Sequence, residues 1–405
     1  MGWVTSDAPT KAELAACVEC GLCLPHCPTF RLTGLETASP RGRLAAMAGV
    51  AAGVLPVDGA FEETMMFCLQ CRACEAVCPS LVPFGRAMEG ARIELAEQRP
   101  ARGRRFRHRI VGRWLASPGM VRAATAAAAI GQRVRIDRWG PRPARQVAGL
   151  RRLPLRAPTI RGITREPEAA PIATVGLLAG CVMDPWFAGV HEATIAVLVA
   201  AGYRVVVPGG PACCGALAAH DGAAAAAREL AKRNVQAFHD VDIVVADAAG
   251  CSAHLKEFRH WADGGEALAS RARDVTELVA EAIAAGRLPA VPASGGRVAI
   301  QDPCHLRHAQ RIIDPPRQIL RAAGYEVVEI DPDALCCGAA GIYSVLRPDA
   351  AAELGRRKAD RIRATGIRLV ASANPGCEMQ IRSHLGEGYR VAHPVELYAR
   401  AISAT

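Results

Sequence analysis

No run of eighteen uninterrupted apolar residues occurs in this chain of 405 residues, so no segment reads as a bilayer-spanning helix. The first sixteen residues carry Asp7 and Glu13 and no apolar h-region. A secretory signal is therefore not expected, and the thiols are expected to stay reduced in a cytoplasmic setting. No G-x-G-x-x-G or other dinucleotide fingerprint follows a strand-like run, which leaves flavin and nicotinamide without an evident home on this chain. Acid is scarce in one place: residues 99–165 hold eighteen arginines against a single acid, Asp137. The formal charge of +10 is therefore local, and the remainder is mildly acidic. Those arginines are interleaved with Ala, Pro and Gly rather than aromatics, without a recognised binding motif, so no nucleic-acid partner is expected.

Cysteine is what the chain does have: sixteen, in four sets with none left over. Cys17, Cys20, Cys23 and Cys27 spell C-x2-C-x2-C-x3-C before Pro28, and Cys68, Cys71, Cys74 and Cys78 repeat it before Pro79. A cubane presents four iron corners to thiolates, and three cysteines at two-residue spacing let one tight turn cover three of them. The fourth comes from elsewhere. In two-cluster ferredoxins the last cysteine of each run ligates the other cluster. This assigns Cys17, Cys20, Cys23 and Cys78 to one [4Fe-4S] cluster, and Cys27, Cys68, Cys71 and Cys74 to a second. Structural zinc more often takes two pairs across a longer spacer, and a disulfide framework does not suit a reduced compartment.

Around these runs the pattern is helical. Pro40, Arg41 and Gly42 open a segment with Leu44, Met47 and Val50 at helical spacing, and Phe61 to Phe67 reads as a helix delivering Cys68. Residues 109–135 suit one or two helices broken near Pro118-Gly119. Pro141, Pro143, Pro154 and Pro158 then mark a linker without regular structure. Such a basic, Trp-bearing segment suits docking to protein, either a partner or the chain's own second half, or to an anionic membrane surface.

From Ile172 onward the chain repeats itself. Val175-Gly176-Leu177-Leu178 leads to Cys181 as Val298-Ala299-Ile300 leads to Cys304. Each copy then runs through a helix, Ala-Gly-Tyr, a short strand and Cys-Cys-Gly-Ala, and through a further helix and strand to a final Gly-Cys. Alternating strands and helices imply parallel sheets with crossover helices, the single cysteines lying past the carboxyl ends of strands. Each repeat thus gathers four candidate metal ligands: Cys181, Cys213, Cys214 and Cys251, then Cys304, Cys336, Cys337 and Cys377. Gly215 and Gly338 are expected to admit a bulky inorganic ligand. Buried core cysteines are the plainer reading, but the equal Cys-to-Cys-Cys spacing of the copies argues against coincidence.

The expected fold class is α + α/β. An α-helical ferredoxin-type domain (1–98) and a basic helical connector with a Pro-rich linker (99–168) precede two repeated Rossmann-like α/β units (169–290 and 291–405).

These motifs resemble the family of glycolate oxidase iron-sulfur subunits, within the wider cysteine-rich CCG proteins related to heterodisulfide reductase. Ser39-Pro40-Arg41-Gly42-Arg43, His308-Ala309-Gln310 and Ala373-Asn374 carry the resemblance alongside Cys213-Cys214-Gly215 and Cys336-Cys337-Gly338. It implies one or two further iron-sulfur clusters in the CCG repeats. It also implies a complex at the cytoplasmic membrane face in which FAD-containing subunits oxidise glycolate to glyoxylate and this chain relays electrons towards quinone. No catalytic residue is expected here, because hydride chemistry needs a two-electron acceptor on a partner, and the chain alone is expected to be inert toward glycolate. Iron-sulfur subunits of lactate or glycerol-3-phosphate dehydrogenases, or a heterodisulfide-reductase-like thiol/disulfide reductase, are the alternatives. Against the last, the fifth-cysteine positions of the C-x2-C ending read His254 and Gln380. His254 is either a nitrogen ligand or an ordinary helix residue. His305 either hydrogen-bonds a cluster sulfur or caps a helix.

Overall fold

Three local signals start helices in the N-terminal unit. Thr10 and Glu13 close a reciprocal capping box over Lys11–Ala15. Ser39 accepts the Gly42 N–H at 2.9 Å to cap Pro40–Ala51, with Pro40 at the first position. Asp58 accepts the Phe61 N–H at 2.9 Å to cap Gly59–Met66. The computed structural model describes residues 2–136, 150–210, 213–293 and 296–403. In it the Leu44, Met47 and Val50 stripe faces inward with Phe61 and Met65, against Met88, Ala91 and Leu95 of helix Phe84–Gln98.

The connector begins earlier than its apolar content announces. Helix Arg102–Arg109 passes through a π turn, Ile110–Trp114, to a break at Ser117, whose side chain caps helix Pro118–Arg133. Five arginines in the first of these helices leave no apolar stripe to read. Both connector helices lie on the chain's own first repeat: Arg107 of the first pairs with Asp221 at 2.7 Å, and Trp186 Nε1 donates to Thr125 of the second at 2.8 Å. The stretch through Pro154 and Pro158 holds no helix or strand, yet it is tied down. Leu153 is buried, and Arg151 forks onto Glu378 at 2.6 Å and Glu396 at 2.7 Å. Asp137 and the linker around Pro141 and Pro143 lie outside the described residues.

The two repeats build two sheets of one topology. The first contains β1 (Thr164–Arg165), β2 (Thr174–Leu177), β3 (Arg204–Val206), β4 (Ile243–Ala246) and β5 (Ala272–Asp274), in the order β1-β3-β2-β4-β5. The second contains β6 (Arg297–Gln301), β7 (Glu326–Glu329), β8 (Leu369–Ser372) and β9 (Arg390–Ala392), in the order β7-β6-β8-β9. All pairs are parallel except β1 with β3. Without β1 the two orders coincide, strand for strand. β1 is a two-residue antiparallel edge, too short for periodicity to reveal, and it starts the first sheet upstream of position 169.

The repeats share a core. Helices Ala188–Ala200 and Val275–Ala284 of the first pack on Pro394–Ser403 and Asp314–Ala322 of the second. Leu198, Leu278, Ile319, Val395 and Tyr398 meet in that seam with almost no exposure, which fixes the two sheets relative to each other.

Candidate metal centres

The two cysteine runs of the N-terminal unit are wound alike. Glu19 and Gly21 have φ of 55° and 82°, and Gln70 and Arg72, at the same offsets from Cys68 as the former from Cys17, have 53° and 59°. Alternating left-handed residues curl each loop into a concavity towards which backbone N–H groups point, a setting that favours anionic sulfur. The Gln70 N–H donates to Cys68 Sγ at 3.3 Å. Cys17, Cys20 and Cys23 line one pocket together with Cys74 and Cys78, so the structure brings the end of the second run to three thiols of the first. Cys27 is buried, and its charge acts on Cys23 of its own run as well as on Cys71 and Cys74, whose thiols burial holds well above the usual range.

Two guanidiniums near that second group carried no clear signal in the sequence. Arg43 is fully buried and donates to Thr64 O at 3.0 Å, Thr29 Oγ1 at 3.1 Å and Cys27 Sγ at 3.9 Å. Arg92 donates to Met65 O at 2.9 Å, Cys68 O at 2.6 Å and His220 O at 2.7 Å. Their positive charge offsets the negative charge that metal-bound thiolates would gather there. Arg43 stands inside the Ser39–Arg43 motif. Arg92 has no local pattern to mark it.

In the repeats every cysteine follows the carboxyl end of a parallel strand. Cys181 and Cys304 come after β2 and β6, the Cys-Cys pairs after β3 and β7, and Cys251 and Cys377 after β4 and β8. β2 and β6 are each flanked by the next two strands of their repeat, so the thiols meet where the sheet order reverses. Cys214 Sγ lies 3.2 Å from Cys251 Sγ. Gly215 N–H donates to Cys213 Sγ at 3.4 Å and Gly338 N–H to Cys336 Sγ at 3.5 Å, the same two-residue relation as Gln70 to Cys68.

The glycines of these pairs have left-handed backbone, and each turns its N–H to a cysteine sulfur. Their φ values are 96° and 88°, and a Cβ on Gly338 would lie 2.7 Å from Ala351 O. The close approach is to the following helix.

The two repeat sets differ electrically. The hydrogen bond with Cys213 and burial raise Cys181. Cys214 and Cys251 rise although their bonds with Cys213 and Cys214 lower them, because burial outweighs those bonds, aided at Cys214 by the bond with Cys251. Cys213 is raised to about 12 despite a bond with Cys181 that lowers it. In the second set the hydrogen bond with Cys336 holds Cys304 well down, aided by His305. Bonds with Cys336 and Cys377 do the same for Cys337, while Cys336 and Cys377 themselves rise. Four crowded, buried thiols cannot all ionise unless a cation neutralises them, and that donor chemistry fits a thiolate-bound metal or metal-sulfur centre.

His305 Nδ1 lies 3.6 Å from Cys304 Sγ, in keeping with a hydrogen bond to sulfur rather than a helix cap. His254 is buried one helical turn after Cys251, with neither ring nitrogen hydrogen-bonded. Gln380 instead donates to Ala351 O at 2.8 Å. One arrangement had no signal in the sequence. Leu69, Cys71 and Ala73 pack directly on Cys336, Tyr343 and Leu354, with Cys304 alongside. The Cys27/Cys68/Cys71/Cys74 group therefore abuts the thiols of the second repeat.

Comparison with known proteins agrees with this layout. Residues 13–82 match the 4Fe-4S dicluster domain, and residues 175–256 and 298–382 each match the cysteine-rich domain. The chain is 34% identical to the probable glycolate oxidase iron-sulfur subunit of Bacillus subtilis, covering 96% of this chain and 94% of that protein. It is 30% identical to the glycolate oxidase iron-sulfur subunit of Escherichia coli, again over 96% and 94%. Lactate utilization protein A of Oceanobacillus iheyensis is 26% identical over 55% of this chain and 95% of its own length.

Proposed function

We propose, for a chain that belongs to the family of glycolate oxidase iron-sulfur subunits, that it relays electrons from an FAD-bearing partner, where glycolate becomes glyoxylate, towards a membrane quinone. Each iron-sulfur cluster, when bound, accepts and releases single electrons. In this reading Cys17, Cys20, Cys23 and Cys78 hold one [4Fe-4S] cluster and Cys27, Cys68, Cys71 and Cys74 the other. Cys181, Cys213, Cys214 and Cys251, and Cys304, Cys336, Cys337 and Cys377, hold further centres in the two repeats. The units are 1–98, 99–168, 169–290 and 291–405. Hydroxy-acid oxidation needs a two-electron acceptor, so it belongs to the partner, and the isolated chain is inert toward glycolate.

The observation that supports this best is the packing of Cys71 beside Cys304 and Cys336, which puts a ferredoxin-type thiol group against a repeat thiol group in a buried setting. Around that junction Arg43 donates to Cys27 Sγ, the Gln70 amide to Cys68 Sγ and the Gly338 amide to Cys336 Sγ, with Arg92 on Cys68 O, which stabilises added negative charge there. Attachment to the cytoplasmic membrane face is peripheral, through the basic connector. Its Phe106 and Trp114 form an exposed edge-to-face pair at 5.6 Å, and no helix among the described residues is long and apolar enough to cross a membrane.

The test is to purify the chain anaerobically with the proteins that travel with it, add glycolate, and follow the clusters by EPR. Reduced clusters with a bound flavoprotein are expected. In Cys20→Ser or Cys71→Ser, flavin reduction on the partner should persist while quinone reduction stops. Continued quinone reduction by a folded variant would remove those cysteines from the relay. Clusters that dithionite reduces but glycolate does not would turn the reading to lactate, the direction favoured by the relative named for lactate utilization.

A further inference from the structure

Three units of the fold converge on one buried spot that the thiols do not supply. Glu89 comes from helix Phe84–Gln98, and His254 and Glu257 come from the end of helix Ala249–Leu255 and the turn after it. One ligand atom from each of the three lies within 4.8 Å of the other two. His254 is 2% exposed, and neither of its ring nitrogens has a hydrogen-bond partner. His305, from the second repeat, adds a buried Nε2 that is also unpartnered. A buried polar atom without a partner is destabilising, so an imidazole with both nitrogens free, beside two carboxylates, points to a ligand.

The surroundings prepare that imidazole and those carboxylates to bind a cation. Phe258 meets the His254 ring edge-on at 5.4 Å and Trp261 lies at 5.8 Å, apolar walls that leave both ring nitrogens without a hydrogen-bond partner. His220 Nδ1 lies 2.8 Å from the Glu89 carboxylate, and Arg72 pairs with Glu257. Ligating carboxylates are commonly held in place by hydrogen bonds from neighbouring side chains in this way. One nitrogen and two carboxylate oxygens, without sulfur, suit zinc, ferrous iron or manganese better than a cluster. They are also too few and too nitrogen-rich for calcium.

We propose that Glu89, His254 and Glu257 form a mononuclear site for a divalent transition cation, separate from the thiol sets, which clasps the N-terminal unit to the repeats. Glu89 belongs to the first unit and the other two ligands to the first repeat. His305 approaches from the second repeat, its ring 5.4 Å from that of His220, so a bound ion stiffens the junction where all three units meet.

Cobalt(II) is the probe. The anaerobically purified holoprotein, freed of loosely held metal by mild chelation, is titrated with Co²⁺ and its spectrum recorded. The proposal expects ligand-field bands without thiolate-to-cobalt charge transfer. It also expects affinity to fall by about tenfold or more in Glu257→Gln and Glu89→Gln, with acid-labile sulfide and the cluster EPR unchanged. Glu257 is partly exposed, so its variant carries the test should the buried Glu89→Gln fail to fold. Thiolate charge-transfer bands, absent binding, or affinity indifferent to Glu257→Gln would each overturn the site. A His254→Gln variant that alters the cluster EPR but not Co²⁺ binding would overturn it too, by making His254 a cluster ligand.

Discussion

Asn374 donates its side-chain amide to Cys377 Sγ at 3.4 Å while its carbonyl oxygen accepts the Gly250 N–H at 3.2 Å, so one residue joins the final Gly-Cys turns of both repeats. The first repeat has Ala248 at the matching position and no such donor for Cys251. Hydrogen bonds to sulfur raise a cluster's potential by stabilising its reduced, more negative state. Asn374→Ala should therefore lower the potential of the second-repeat centre and cost about 1 kcal/mol of stability from the lost bridge. Asn374→Asp keeps the acceptor for Gly250 and removes the donor, so it should keep more of the stability yet shift the potential at least as far. Redox-titrated EPR beside denaturant unfolding separates the two effects. An unmoved potential in both variants would remove Asn374 from the site.

Gly338 and Gly215 occupy equivalent turns, but their substitutions should differ. Both have left-handed φ, which costs a non-glycine residue about 1–2 kcal/mol. At Gly215 a Cβ finds its nearest neighbour at 3.4 Å, whereas at Gly338 it would sit 2.7 Å from Ala351 O and 2.9 Å from Leu354 Cβ. Gly215→Ala should lose roughly that strain alone. Gly338→Ala should lose more, because helix Pro348–Ala364 has to move. Equal losses in denaturant unfolding would show that this helix yields freely.

What the sequence made legible follows from the physics that writes it. Metal-ligand spacing is local, so the paired runs and the Cys-Cys-Gly turns are readable without a fold. Strand-helix alternation is nearly as local, and β2, β4, β6 and β8 lie where their apolar runs put them. Helix Arg102–Arg109 was hidden because its support comes from tertiary partners such as Asp221 rather than from an apolar stripe. The contact between Cys71 and the second repeat, the burial of Arg43 and Arg92, and the meeting of Glu89 with His254 join residues far apart in sequence. No window of pattern reports those.

His393 supplies a pH dependence with a definite sign. It is 3% exposed, burial pushes its pKa down to about 4, and its Nδ1 accepts the Val395 N–H at 3.2 Å, which requires the neutral ring. With the folded pKa below an unfolded value near 6.5, the unfolded chain binds the extra proton as pH drops. The stabilisation is whole above about pH 6.5 and drains away as pH falls towards 4. By about pH 5.5 the loss from this group should reach about 1.4 kcal/mol. His393→Asn keeps an acceptor for Val395 and cannot titrate, so its stability should fall less than the parent's between pH 7.5 and 5.5. Parallel curves would mean that the ring is protonated in the fold.

The connector offers the last test, because in the proposed relay it is the face that meets the membrane. Phe106 is 52% exposed and Trp114 37%, and Arg102, Arg105, Arg109 and Arg113 around them face solvent. Basic residues near an anionic surface contribute about 1 kcal/mol each, and aromatic side chains add apolar contact at the headgroup level. The protein should bind phosphatidylglycerol vesicles in sedimentation and leave them as salt rises, with little binding to neutral phosphatidylcholine. Phe106→Ser with Trp114→Ser, or Arg105→Glu with Arg109→Glu, should weaken vesicle binding without changing the melting temperature, since none of the four side chains is buried. If the protein ignores both kinds of vesicle while these same variants release the flavoprotein, the patch is a protein-docking face and the partner supplies the membrane contact.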